Sequence, residues 1–126
     1  MDADKVIPAI ILYAVASLSD IVTTIIGLQC GFVEGNEFTW MIVTRFGWHI
    51  YFICDMLYFI AVTMALNLFS KFLKRIAGGN RGVVKVADNL WISLYVVAMV
   101  RLTPVLHNLM LLSKAVNEVI SHAYNI

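Results

Sequence analysis

The chain carries three apolar runs that are each long enough to cross a bilayer. They lie at 6–28, from Trp48 onward ("WHIYFICDMLYFIAVTMALNLF"), and from about Asp88 onward ("NLWISLYVVAMVRLTPVLHNLMLL"). A helix rises 1.5 Å per residue, so roughly 20 residues traverse a hydrocarbon layer of about 30 Å. The composition agrees: 61% of the residues are hydrophobic, 13% are charged and the mean hydropathy is +0.85, against roughly 25% charged in soluble proteins. The sequence therefore predicts an all-α integral membrane bundle. With 126 residues, it forms a single domain over 1–126, because domains generally need roughly 100–200 residues each.

The ends of the runs define the rest of the organisation. "MDADK" is mainly acidic and the first apolar run continues to Cys30, which is too long for a cleavable signal sequence; the segment is expected to stay as the first span. Pro8 falls in its first turn, where a missing N–H is tolerated. Between the first two runs, "NEFTWMIVTRFG" is too short to cross. Residues 37–46 read as a short interfacial helix with Asn36 as its N-cap; the alternative is a fourth span inserted as a hairpin. "SKFLKRIAGGNRG" reads as a loop, Pro104 is expected to kink the third span, and 114–126 is a weakly amphipathic stretch expected to lie along the membrane surface. Cys30 and Cys54 have neither disulfide nor zinc spacing and are expected to be buried thiols.

Lys71, Lys74, Arg75, Arg81 and Lys85 surround the second loop, whereas the first carries Arg45 with Glu34 and Glu37. By the positive-inside rule the second loop and the N-terminus are cytoplasmic, and the Glu34 turn and the C-terminus are on the outer side of a cell membrane. With a net charge of +1 and no basic stripe among exposed aromatics, nucleic acid is excluded as a partner. The expected partners are the lipid bilayer and other membrane subunits, or further copies of the chain.

The residues that need explanation are the polar ones inside the spans. Ser17, Asp20, Thr24, Gly27 and Gly31 follow three- and four-residue steps and so share a helix face. That face is expected to turn inward, with Gly27 and Gly31 forming a G-x-x-x-G helix-packing pair, or with Gly31 simply ending the helix. Counted from the outer ends of their helices, Asp20 lies ~15 Å deep and Arg101 ~18 Å deep at 1.5 Å per residue, so these two are expected to meet. The same count puts Asp55 and His107 on a second, shallower level, with His49 nearer the surface. Tyr51 and Tyr58 flank Asp55 and are expected to hydrogen-bond to it. Arg101 and Asn108, seven residues apart, share a face. A charge at the centre of a span costs about 2.5–3.5 kcal/mol, so these groups must pair. The pairing serves either to lock helices together or to build a site, and Glu34 with Asn36 is either a capped turn or part of that site. Imidazole and carboxylate suit a metal, but the spacing of His49 and His107 gives no ligand motif, and no metal or other cofactor is expected.

"DIVTTIIGLQCGFVEGN" resembles the first-helix signature of a small, functionally uncharacterised family of multi-span membrane proteins of archaea and bacteria. In that signature Asp and Thr precede a glycine turn and a Glu-x-Asn-Pro. Asp20, Thr24, Gly27, Gly31, Glu34 and Asn36 carry the resemblance, and Glu37 stands where the family has proline. The resemblance implies a helical membrane fold and weight on the segment from Asp20 to Asn36, and no substrate.

Hydrolase, zinc-protease, P-loop and dinucleotide motifs are missing, and Asp20 and Asp55 at different depths do not suggest a shared-proton dyad; the chain is not expected to be an enzyme. The leading expectation is an accessory or scaffold subunit of a membrane complex or homo-oligomer, because three spans enclose little volume. The alternative is a small binding or transport module for an ion, a proton or a small polar solute.

Overall fold

In a computed structural model, residues 3–124 are described, and they form helices joined by short turns. In order these are α1 (Ala3–Gln29), α2 (Glu37–Phe46), α3 (Trp48–Ile76), α4 (Arg81–Asn89) and α5 (Ile92–Tyr124). Three segments are long and apolar enough to cross a membrane: Asp4–Gln29, Trp48–Ile76 and Arg81–Tyr124, the last joining α4 to α5. The fourth-span alternative fails, because α2 has 10 residues and reaches only about 15 Å.

α1 is the central helix, packed along α5 on one side and touching α3 on the other. The face it buries reads Ala9, Tyr13, Ala16, Ser17, Asp20 and Thr23, while Ile7, Ile11, Val15, Leu18, Val22 and Ile26 point outward. A water-soluble helix does the reverse. The arrangement is the one expected in lipid: small and polar residues let backbones approach and bond to one another, and branched apolar side chains meet the acyl chains. The core is correspondingly compact. Ala9 and Ala98 are fully buried beside Leu94, and Tyr13 stacks on Phe59 with ring centroids 4.2 Å apart and planes 21° from parallel.

Several expectations need correction. The stretch expected as a loop, 70–82, is instead the end of α3 through Ile76, a turn, and the start of α4, whose N-cap Asn80 accepts from the amides of Gly82 and Val83. α4 folds back on α3 through Ser70 Oγ, which donates to the Ala87 carbonyl at 2.8 Å, and through contact of Lys74 with Asp88. α5 runs unbroken through Pro104 to Tyr124, so residues 114–124 are the end of a long helix and not a separate surface segment; residues 125–126 lie outside the described part. Both cysteines are exposed rather than buried. In a bundle solvated by lipid, an apolar thiol loses nothing by facing outward, so burial inside protein is not required of it.

Gly27 and Gly31 do not form a packing motif between helices. Gly31 has φ +88° and terminates α1, with its own amide bonded to the Leu28 carbonyl and the Phe32 amide bonded to the Gly27 carbonyl. This is a Schellman cap, in which the residue after the glycine folds back on the last turn. A Cβ on Gly27 would meet the Phe32 ring at 3.2 Å and no neighbouring helix. The cap thus turns the chain over the end of α1, toward α2.

Candidate functional site

Arg101, projecting from α5, is the hub of a polar network that joins the three long helices. Its Nε donates to Asp55 Oδ2 at 2.9 Å, its Nη1 to Asp20 Oδ2 at 2.8 Å and its Nη2 to the Tyr51 hydroxyl at 3.2 Å. Asp55 also accepts from Tyr13 at 2.7 Å and from Ser17, while Asp20 accepts at its other oxygen from Asn108 Nδ2 at 3.2 Å. The Asn108 amide lies within bonding distance of Thr23 and Thr24 as well, at 3.2 and 3.0 Å. The side chains of Arg101, Asp20 and Asp55 are only 13%, 11% and 14% exposed. This dense bonding offsets the cost of placing such groups away from water.

Local sequence explains why these groups converge. Tyr13, Ser17, Asp20, Thr23 and Thr24 fall on one stripe of α1; Tyr51 and Asp55 are one turn apart on α3; Arg101 and Asn108 are two turns apart on α5. Residues three or four apart on a helix are neighbours. The expected meeting of Asp20 and Arg101 is found, but the two-level arrangement is not. Asp55 meets Asp20 at the same guanidinium, whose reach spans the depth difference of about 5 Å estimated from helix rise. Asp55 therefore belongs with Arg101 and not with His107. Its hydroxyl donors are Tyr13 and Ser17 on α1 instead of Tyr51 and Tyr58: Tyr51 bonds to Arg101, and Tyr58 is exposed.

Beside this network lies a cavity of about 350 Å³, within the range of roughly 300–1,000 Å³ typical of small-molecule sites. Asp20, Thr23, Thr24, Tyr51, Arg101 and Asn108 form its floor, as the network residues that line it; Glu34, Asn36, Thr39 and His107 line it from the 32–39 segment, α2 and α5. The segment is held in shape by its own bonds. The Asn36 amide donates to Glu34 Oε1 at 2.8 Å, and Asn36 Oδ1 accepts from the amides of Phe38 and Thr39. Asn36 is thus the N-cap of α2 as well as part of the wall. His49 is outside the lining; it follows Trp48 at the start of α3, is exposed, and its ring lies against Gly47 at the joint with α2.

Tyr13, Thr23 and Thr39 are site residues that the sequence did not single out. Tyr13 and Thr23 could have been found by extending the Ser17–Asp20–Thr24 stripe by one turn and one position. Thr39 carries no such signal, because it enters the site only through the turn that carries the chain from α1 into α2. No group of three or more His, Cys, Asp or Glu side chains suited to a metal occurs among the described residues. Comparison of the chain with protein-family models, with curated proteins and with solved structures gives no match.

Proposed function

We propose that the protein is a small membrane-embedded binding or transport module for a small polar solute or ion, with the cavity beside Arg101 as its site. The observation that supports this is a single one: a cavity of about 350 Å³ ends on a polar floor shared by α1, α3 and α5. Scaffold packing alone has no need of that space, since interiors close up to crystal-like density wherever function does not oppose it. In this reading Arg101 and Asp20 form an intramembrane ion pair that fixes the floor. The cations at 71–85 hold that end of the bundle in the cytoplasm, so the cavity opens to the outer side, and α2 lies at the outer interface. The family resemblance fits the same reading. Asp20, Thr24, Gly27, Glu34 and Asn36 all line the cavity, and Gly31 sets the turn that closes it.

A second reading, that of an accessory subunit, draws on the completeness of the Arg101 network, which ties three helices together without any ligand. The test is extraction in mild detergent at native expression level, followed by particle mass and solute titration. The module reading expects a lone chain or homo-oligomer whose solute binding is lost on Leu111→Trp, a substitution that fills the cavity. Other subunits in fixed ratio, with no solute binding, would replace it with the accessory reading.

A further inference from the structure

The charges and unused bonding groups of the cavity define the kind of solute it takes. Arg101 donates to the protein from each of its three nitrogens, which uses three of its five N–H groups. Two carboxylates, Asp20 and Asp55, face that one guanidinium, and Glu34 adds a third from the 32–39 segment that lines the cavity. The formal balance over these four side chains is negative. In a cleft with low-dielectric walls such a charge is focused and not dispersed, so an anion entering the cavity meets net repulsion.

The unspent groups point the same way. Asn108 directs its Nδ2 to the network, leaving its carbonyl oxygen as an acceptor, and Glu34 has one carboxylate oxygen beyond the bond from the Asn36 amide. Thr39 supplies an independent sign of a ligand. It is only 6% exposed and lines the cavity, and its hydroxyl has no hydrogen-bond partner among the described residues. The hydroxyl is thus open to the cavity and available to a polar solute there.

We infer that the cavity binds a small primary ammonium group, with Asp20, Glu34 and the Asn108 carbonyl receiving its three N–H donors and the Thr39 hydroxyl meeting the remainder of the molecule. An ammonium carries three donors and no acceptor, which matches a site rich in acceptors. The volume exceeds what a bare monovalent ion fills, since one water takes about 30 Å³. The inference rests on the reading of the cavity as a solute site open to the outer side.

The experiment uses full-length protein in phosphatidylcholine nanodiscs, with Cys30→Ser and Cys54→Ala to remove the native thiols and Thr39→Cys as reporter. Water-soluble methanethiosulfonates of opposite charge are compared, each rate normalised to a free thiol. The cationic reagent is expected to react at least ten-fold faster than the anionic one, and Glu34→Gln is expected to reduce that ratio several-fold. Ethylammonium is expected to slow the reaction, and potassium and acetate at equal ionic strength to leave it unchanged. Equal slowing by potassium, slowing by acetate, or a ratio near one overturns the ammonium assignment while leaving an accessible cavity. Failure of every reagent to reach the thiol, with Thr24→Cys on the α1 wall equally unreactive, overturns the cavity reading itself and the assignment with it. Exchanging the lipid for one with an ethanolamine headgroup separates the two sources of the ligand: slowing without added amine identifies the headgroup, and an unchanged rate identifies a soluble amine.

Discussion

Arg101 sends its Nε, Nη1 and Nη2 in three directions, to α3, α1 and the Tyr51 hydroxyl, so its removal strands two buried carboxylates at once. Breaking a buried charge pair on one side costs about 3–5 kcal/mol. Arg101→Met is expected to lose that much in reversible unfolding in mixed micelles, followed by tryptophan fluorescence. Arg101→Lys should recover only part of it, because an ammonium lacks the planar fork that serves divergent acceptors. A loss below ~1 kcal/mol, the worth of an exposed pair, would mean that the network contributes little. Tyr13→Phe is a finer probe. It keeps the stacking on Phe59 and deletes the donor to Asp55 Oδ1, and should cost about 1–3 kcal/mol in the same assay. At this scale the sequence is legible wherever spacing on one helix decides the matter, as for Ser17, Asp20 and Thr24. It is illegible for the placing of Asp55, because the reach of a guanidinium across three helices is not a property of any one of them.

Among the elements, the turn from α1 into α2 does the most to shape the site. Its two fixed points are the Gly31 cap and the Asn36 N-cap, and each has its own chemistry. At φ +88° an L-residue meets strain of about 1–2 kcal/mol, so Gly31→Ala should destabilise by that amount. Loss of a helix N-cap costs about 0.5–2 kcal/mol. Asn36→Ala is therefore expected to speed hydrogen exchange at the amides of Phe38 and Thr39, which it caps, while exchange within α3 stays as it was. Equal acceleration in α3 would show that the turn and the bundle open as one unit. The N-cap role of Asn36 and the extent of α2 can be read from the sequence, since asparagine before an apolar face is a local signal. The packing of Phe32 over Gly27 cannot: a G-x-x-x-G spacing is shared by helix pairs and by a glycine that ends a helix, and only the path of the following residue tells them apart. α4 is hidden for a related reason. Its charged residues and glycines suggest a loop, yet Asn80 caps it and Ala87 is buried against α3.

For the molecule as a whole, the decisive pattern is the inversion of polarity, with alanine, serine and aspartate inside and isoleucine, valine and leucine outside. Sequence composition already implies it, because a chain with so few charges cannot cover itself with polar surface. Depth and orientation then make a prediction about the two native thiols. Both are exposed on the bundle, but they differ in what surrounds them. Cys30 follows the end of α1 at the Gly31 turn, where water reaches it in the proposed topology; Cys54 is the seventh residue of α3, about 9 Å along the helix from its start, facing the acyl chains. Thiol reagents act on the thiolate, which does not form in hydrocarbon. In intact cells a membrane-impermeant maleimide is therefore expected to label Cys30 and to spare Cys54, and a Gly79→Cys variant carrying Cys30→Ser should be labelled only after permeabilisation. Labelling of Gly79→Cys from outside would invert the bundle and place the cavity on the cytoplasmic face. Equal labelling of Cys54 and Cys30 would mean that the outer face of α3 meets water, so that the isoleucines and leucines beside it would need cover from protein instead of lipid.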